Sequence, residues 1–344
     1  MTKKEKPVKN CIYCKSQYQA ARSNQSYCST RCKEDARLEK KRIATAKRKA
    51  KNLQKRERLF DGSAFALYLV AEVKRGKTVQ ILSQHNSATF LELYRLSKLR
   101  TSYSGFKDGK PQRFYELSHI QPVKQPNFVG LLHPGNIVIA TQSFNRTRRT
   151  KFPDRQESGK KIPTADLVPK WSVSMTETKA QILKKIKAFL GASTLNDFYQ
   201  EARLSLTRKN VLRKKLTKLG IETTENMSLE QLDEIYESAT GKTVISNYER
   251  YNAPIAYVLQ QEILRLNINV GQYGNLLEEV LADSLRFYSG TKRFTDAQEQ
   301  FIYRQAQCLL HGDKVQAFEL EALGLGYQEL QQARLREEAQ AIDF

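Results

Sequence analysis

The chain has 344 residues, enough for about two domains, and is 40% hydrophobic and 27% charged, a balance that excludes a disordered tail. No apolar run approaches the roughly 18–20 residues of a membrane span, and no apolar stretch follows the basic start MTKKEKPVKN, so a cytoplasmic protein without a secretory leader is expected. The net charge of +22 is uneven: residues 1–58 carry +14, residues 59–171 carry +10 and residues 172–344 carry −2.

A field of that strength draws polyanions, so DNA is the expected partner. A membrane partner is not expected, because no basic amphipathic helix with an aromatic face is present. Four of the five cysteines fall between positions 11 and 32, a clustering that reads as metal binding. Cys11-Ile-Tyr-Cys14 and Cys28-Ser-Thr-Arg-Cys32 can set four thiolates around one tetrahedral ion, which would replace a core that so short a segment cannot build. All four positions are then filled by protein, so the expected Zn²⁺ is structural. The second pair leads straight into residues 33–58, with 12 basic and 4 acidic residues and no Gly or Pro, read as one long basic helix. Lys47, Arg48 and Lys49 are its candidate DNA contacts. The arrangement resembles small treble-clef zinc fingers, whose second cysteine pair sits at a helix start.

Residues 62–74 read as an apolar helix, 78–82 (TVQIL) as a strand, and 87–99 as a helix with Ser87 as N-cap. Residues 102–112 read as a polar loop. RFYELSHIQPV from Arg113 and GNIVIAT from Gly135 read as strands, and QSFNRTRRT from Gln142 as the start of a helix. Residues 149–171, with three prolines, read as a linker or extended arm. The remainder is helical, with candidate helices at 176–190, 194–204, 206–219, 228–239, 253–266, 273–288, 295–310 and 326–341. Ser228 with Gln231 and Thr295 with Gln298 have capping-box spacing.

Of the four histidines, His85 reads as a surface or capping residue, and His311 as a cation at a helix end, where it suits the dipole. Cys308 reads as a buried thiol and Trp171 as packing in the helical half. TRKNVLRKKLTKLG, from Thr207, is a second candidate DNA contact. His119 alone has company suited to hydrolysis. Glu116-Leu117-Ser118-His119-Ile120 with Pro122, then Gly135-Asn136-Ile137-Val138, then Asn145 nine residues on with Arg148 behind it, resemble the HNH (His-Me finger, ββα-metal) endonucleases, as an H-N-N variant.

The resemblance covers about 36 residues and implies a metal-dependent DNA endonuclease of phage or mobile-element type. It implies His119 as general base, Asn136 as the residue that holds the loop and orients the imidazole, and Asn145 as an oxygen donor to Mg²⁺ or Mn²⁺. Arg146, Arg148 and Arg149 would grip flanking phosphates. The family has Asp before its base histidine, whereas this chain has Ser118. Ser118 itself, or Glu116, His133 or Asp154, would then supply the missing ligand. The rival reading is a non-enzymatic DNA-binding protein with a degenerate site. An RNA-directed protein is disfavoured, because few aromatic residues lie near the basic runs.

The expected fold class is mainly α. It comprises a treble-clef-like zinc finger (1–33), a basic helix (34–60), an HNH-like ββα-metal domain (61–150), a linker (151–171) and a helical domain (172–344) that could mediate homo-oligomerisation.

Overall fold

The structure, a computed structural model, describes residues 7–108, 110–155, 157–224, 226–242, 249–268 and 295–316; the helices expected at 273–288 and 326–341 lie outside the described residues. The chain divides into two compact units, Met1–Leu59 and Phe60–Phe344.

In the first unit, β1 (Val8–Asn10) and β2 (Gln17–Gln19) form an antiparallel hairpin with Lys9 opposite Tyr18. The connection turns through Lys15 in the left-handed region at φ 64°, where its N–H reaches the Cys11 carbonyl at 2.9 Å. Helix α1 (Thr30–Asp61) follows, and the Ser29 hydroxyl accepts the Cys32 N–H at 3.2 Å in its first turn. Lys47, Arg48 and Lys49 are all exposed on it. Leu38 and Ile43 are also about half exposed, because apolar positions are too sparse here to make a core face.

The second unit begins with Phe60, fully buried in an aromatic cluster. The cluster also holds Phe65 on α2 (Ala64–Gly76) and Phe198 on α6 (Ala192–Glu201), both against Phe60, and Phe90 on α3 (Ser87–Tyr103), against Phe65 and Phe198, with α5 (Lys179–Leu190) preceding α6. Ring centroids lie 4.7–6.4 Å apart in edge-to-face or tilted contacts. Residues 79–82 are a 3₁₀ turn rather than the expected strand. All four are buried, so alternation could not separate the two forms, and the Thr78 hydroxyl caps the turn at the Gln80 N–H. The α3 cap is Asn86, one residue before the expected Ser87, with Thr89 completing a capping box.

The expected polar loop at 102–112 holds the short hairpin β3 (Phe106–Lys107) and β4 (Lys110–Pro111). Strand β5 (Tyr115–His119) pairs antiparallel with β7 (Ile137–Thr141), Ser118 opposite Val138 and His119 opposite Ile137, and α4 (Gln142–Arg148) follows β7 directly. Residues 149–171 are not a free linker. They contain β8 (Lys161–Pro163), paired with β6 (Phe128–Gly130), and two 3₁₀ turns, the second of which sets Trp171 edge-on against Phe189 of α5.

Helices α7 (Arg208–Lys218) and α8 (Leu229–Thr240) share a small core of Leu212, Leu216 and Leu232. Helices α9 (Ile255–Leu266) and α10 (Asp296–Leu310) pack on the strand pair, burying Ile120, Val138, Leu259, Ile263 and Ile302 together. They also satisfy the outer edge of β7. Glu262 of α9 accepts the Ile139 N–H at 2.9 Å, Gln307 of α10 accepts the Thr141 N–H at 3.1 Å, and Arg265 donates to the Ile137 carbonyl at 2.6 Å. A buried edge strand whose backbone groups went unpaired would be strongly disfavoured, so these polar side chains act as a substitute strand. The expected boundary at 171/172 therefore falls inside one compact unit.

Candidate functional site

The first site is the cysteine cluster. The Sγ atoms of Cys11, Cys14, Cys28 and Cys32 all lie within 4.8 Å of one another, with Cys14 and Cys28 3.6 Å apart and Cys28 and Cys32 3.4 Å apart. A tetrahedral ion at about 2.3 Å from each sulfur needs edges of roughly 3.8 Å. Burial works against ionising Cys11, but the backbone N–H groups of Cys28, Cys14 and Tyr13 outweigh it and bring its pKa down to about 6. Hydrogen bonds with the Cys32 and Cys14 sulfurs push Cys28 up to about 12. Four sulfurs this close cannot all ionise without a cation among them, and the donor set fits a structural metal such as Zn²⁺.

The second site is built on β5, β7 and α4. Residues 116 and 118 share one face of β5, as the strand period requires. Asn145 of α4 reaches both: its Nδ2 donates to Glu116 Oε2 at 2.7 Å, and its Oδ1 lies 2.8 Å from the Ser118 hydroxyl. Gln142 also donates to Glu116, at 2.9 Å. Asn136 is wholly buried and fully used. Its Oδ1 accepts the N–H groups of Gln121 and Lys160, and its Nδ2 donates to the carbonyls of Gln121 and Leu131. It thus ties the exit of β5 to the entry of β7. Gly159 lets the chain approach, since a Cβ there would stand 2.3 Å from Asn136 Oδ1.

His119 projects from β5 toward α2. Its Nδ1 lies 3.0 Å from an Arg75 guanidinium nitrogen, and its Nε2 is buried, 4.0 Å from Glu72 Oε2. Arginine only donates, so Nδ1 is the acceptor and the ring proton sits on Nε2. Burial first, and the Arg75 charge second, hold the His119 pKa well below its usual range. Burial likewise raises that of Glu72.

Several expectations change. Arg148, expected to face phosphate, is buried and its guanidinium is taken up by protein partners. It donates to the carbonyls of His119 and Ile120 at 3.0 Å and pairs with buried Asp313 at 3.2 Å, fixing the end of β5. Arg146 and Arg149 are exposed. His133 is engaged away from the cluster: its Nδ1 accepts the Gly135 N–H at 3.1 Å, and its ring stacks on His85. His85 in turn lies half-buried against the Leu132 carbonyl at 2.8 Å rather than on the surface. Asp154 accepts the Lys314 N–H and pairs with Lys151. Cys308 is half-buried. In the second basic run, Lys215 lies over the Tyr236 ring and Arg213 donates to the Thr224 carbonyl.

The residue that sequence reading missed is His311. It is no helix-end cation. It is fully buried, desolvation brings its pKa down to about 3, and its Nε2 lies 2.8 Å from the Ser118 hydroxyl. No local pattern announces a contact across 193 positions. Among the described residues, no helix is long and apolar enough to cross a membrane. Comparison of the chain with protein families, curated proteins and solved structures finds no match.

Proposed function

We propose that the protein is a metal-dependent DNA endonuclease of HNH type that hydrolyses phosphodiesters at the β5–β7–α4 unit, with residues 1–60 adding grip on DNA. The observation that carries the reading is the Glu116–Asn145–Ser118 cluster, with His119 next on β5 and Asn136 fixing its surroundings. The donors are a carboxylate, an amide and a hydroxyl, hard oxygens that suit Mg²⁺ or Mn²⁺. When bound, such a cation offsets charge on the scissile phosphate and the leaving oxygen.

The chain's own residues do the rest. Burial and the Arg75 charge hold the His119 pKa low, so the ring is neutral at pH 7 with a lone pair that can accept a proton, and it becomes the stronger base when Arg75 is drawn off. Arg75 covers its Nδ1 lone pair. A phosphate competes for that guanidinium, and its arrival leaves Nδ1 open to a water. Exposed Arg146 and Arg149 are available to flanking phosphates, while Arg148 holds the β5 carbonyls in place.

The test is supercoiled plasmid with and without Mg²⁺, beside a His119→Ala protein. Cleavage that needs both the ion and His119 supports the reading. Equal nicking by the variant removes His119 from the mechanism, and no cleavage with any divalent ion ends the proposal. The second reading, a DNA-binding protein without catalysis, is favoured by the 6% exposure of the His119 side chain and by serine where the family has an anionic ligand.

A further inference from the structure

A cleft of about 1180 Å³ opens beside this cluster, between the β3–β4 hairpin, the start of α4, residues 249–255 and α10. It exceeds the roughly 300–1,000 Å³ usual for a small-molecule pocket. Among the described residues four cations line it, Lys107, Arg113, Arg250 and Arg304, against one carboxylate, Glu249. Aromatic faces stand among them. The Tyr251 ring is 91% exposed, Phe114 is 39% exposed, and Arg250 is anchored over the Phe106 ring at 5.6 Å. A bare ring on a polar rim costs solvation unless something covers it, and the surrounding cations select an anionic occupant with flat faces.

An unpaired nucleic-acid strand has both properties. Its phosphates suit the cations and its free bases stack on the rings, whereas a duplex keeps its base faces to itself. In the sequence the pairs Phe106-Lys107, Arg113-Phe114, Arg250-Tyr251 and Tyr303-Arg304 are spread over 106–304, and only the fold gathers them into one cleft. The cleft also meets the candidate site. Gln142 lines it and donates to Glu116 at 2.9 Å, the same carboxylate that Asn145 holds.

We infer that this cleft binds an unpaired DNA strand, with bases stacked on Tyr251 and Phe114 and phosphates held by Lys107, Arg113 and Arg304, beside the Glu116–Asn145 cluster. The inference rests on the endonuclease reading for its choice of DNA and assigns the substrate a single-stranded segment at or next to the cut. Its test is independent of cleavage. Full-length protein in buffer without added divalent cation is titrated by fluorescence anisotropy with a labelled single-stranded DNA oligonucleotide, with the duplex of the same sequence, and with the matching RNA.

Tyr251→Ala and Phe114→Ala should each weaken single-strand binding by roughly 5- to 100-fold, the range expected for one stacking ring. Duplex binding should change less than about twofold, because it draws chiefly on phosphate charge. Tyr251→Trp should retain the single-strand affinity. Tyr251 is almost wholly exposed, so its variants should keep the wild-type melting temperature, whereas the Phe114 ring packs edge-on against Tyr115 at 4.9 Å, so Phe114→Ala is read only at a temperature where its melt shows it folded. Unchanged single-strand affinity, an equal loss on duplex, or tighter binding of the RNA overturns the inference. Single-strand affinity unmoved by either substitution alongside intact Mg²⁺-dependent cleavage would overturn this inference alone, whereas stacking-dependent binding without cleavage by any divalent ion would overturn only the nuclease reading.

Discussion

The Ser118 hydroxyl stands 2.8 Å from His311 Nε2 and 2.8 Å from Asn145 Oδ1. His311 Nδ1 lies 2.7 Å from the Gln307 carbonyl and must donate there, so in the neutral ring Nε2 is an acceptor. One hydroxyl proton therefore serves two acceptors. A cation taking over Asn145 Oδ1 would leave that proton wholly to His311, which couples the helical part of the unit to the candidate cation site.

Ser118→Ala should cost about 1–3 kcal/mol of stability, because it leaves buried polar atoms without their partner. Thermal melts of the variant and wild type measure this. Ser118→Asp should lower the Mg²⁺ concentration needed for cleavage by restoring an anionic donor beside Asn145 and Glu116. If the metal-dependence curves are superimposable, residue 118 does not face the ion.

Acid should destabilise the fold through its buried histidines. Desolvation brings His311 down to about 3, and His85 and His133 down to about 4, against an unfolded value near 6.5. A depressed histidine pKa means that the unfolded chain binds more protons, so this stability is fully present above pH 6.5 and is lost as pH falls toward 4 and below. The melting temperature should drop across that window, and His311→Gln should flatten the drop.

Arg75 holds the His119 pKa down by its charge, second to burial. Arg75→Ala should raise the imidazole pKa, read from its ring-proton shifts in an NMR titration. Because the same guanidinium is proposed to meet the phosphate, cleavage should fall at saturating Mg²⁺. A histidine pKa unmoved by the substitution would show that the 3.0 Å contact does not persist in solution.

The cysteine cluster should carry about one tightly held zinc per chain. Removing the metal should unfold the hairpin at 8–19 and weaken DNA binding without stopping the hydrolytic step. Elemental analysis that finds no bound metal, or chelation that leaves DNA affinity intact, contradicts this role.

Deleting residues 1–58 removes a net charge of +14, so DNA affinity should fall and its dependence on salt should become shallower. The remaining residues keep the core of the second unit. Equal salt slopes for the full chain and for residues 59–344 would show that the N-terminal charge does not meet phosphate.

Features set by local forces were legible along the chain. Cysteine spacing located the thiolate cluster because two short pairs leave few ways to arrange four sulfurs. Most of the described helices of the second half fall on the expected spans, and the capping boxes at Ser228 and Thr295 are formed because each needs only residues three apart. Alternation along the strand made Glu116 and Ser118 readable as sharing one face, and the HNH resemblance implied that Asn145 lies beside them. Tertiary structure alone decided that His311 reaches Ser118, that Arg148 turns inward to Asp313, that Arg75 covers His119, and that α9 and α10 complete the edge of β7. These contacts join residues 44 to 193 positions apart. Such pairings arise from satisfying buried polar groups across packed elements, and no period or spacing along the chain encodes them.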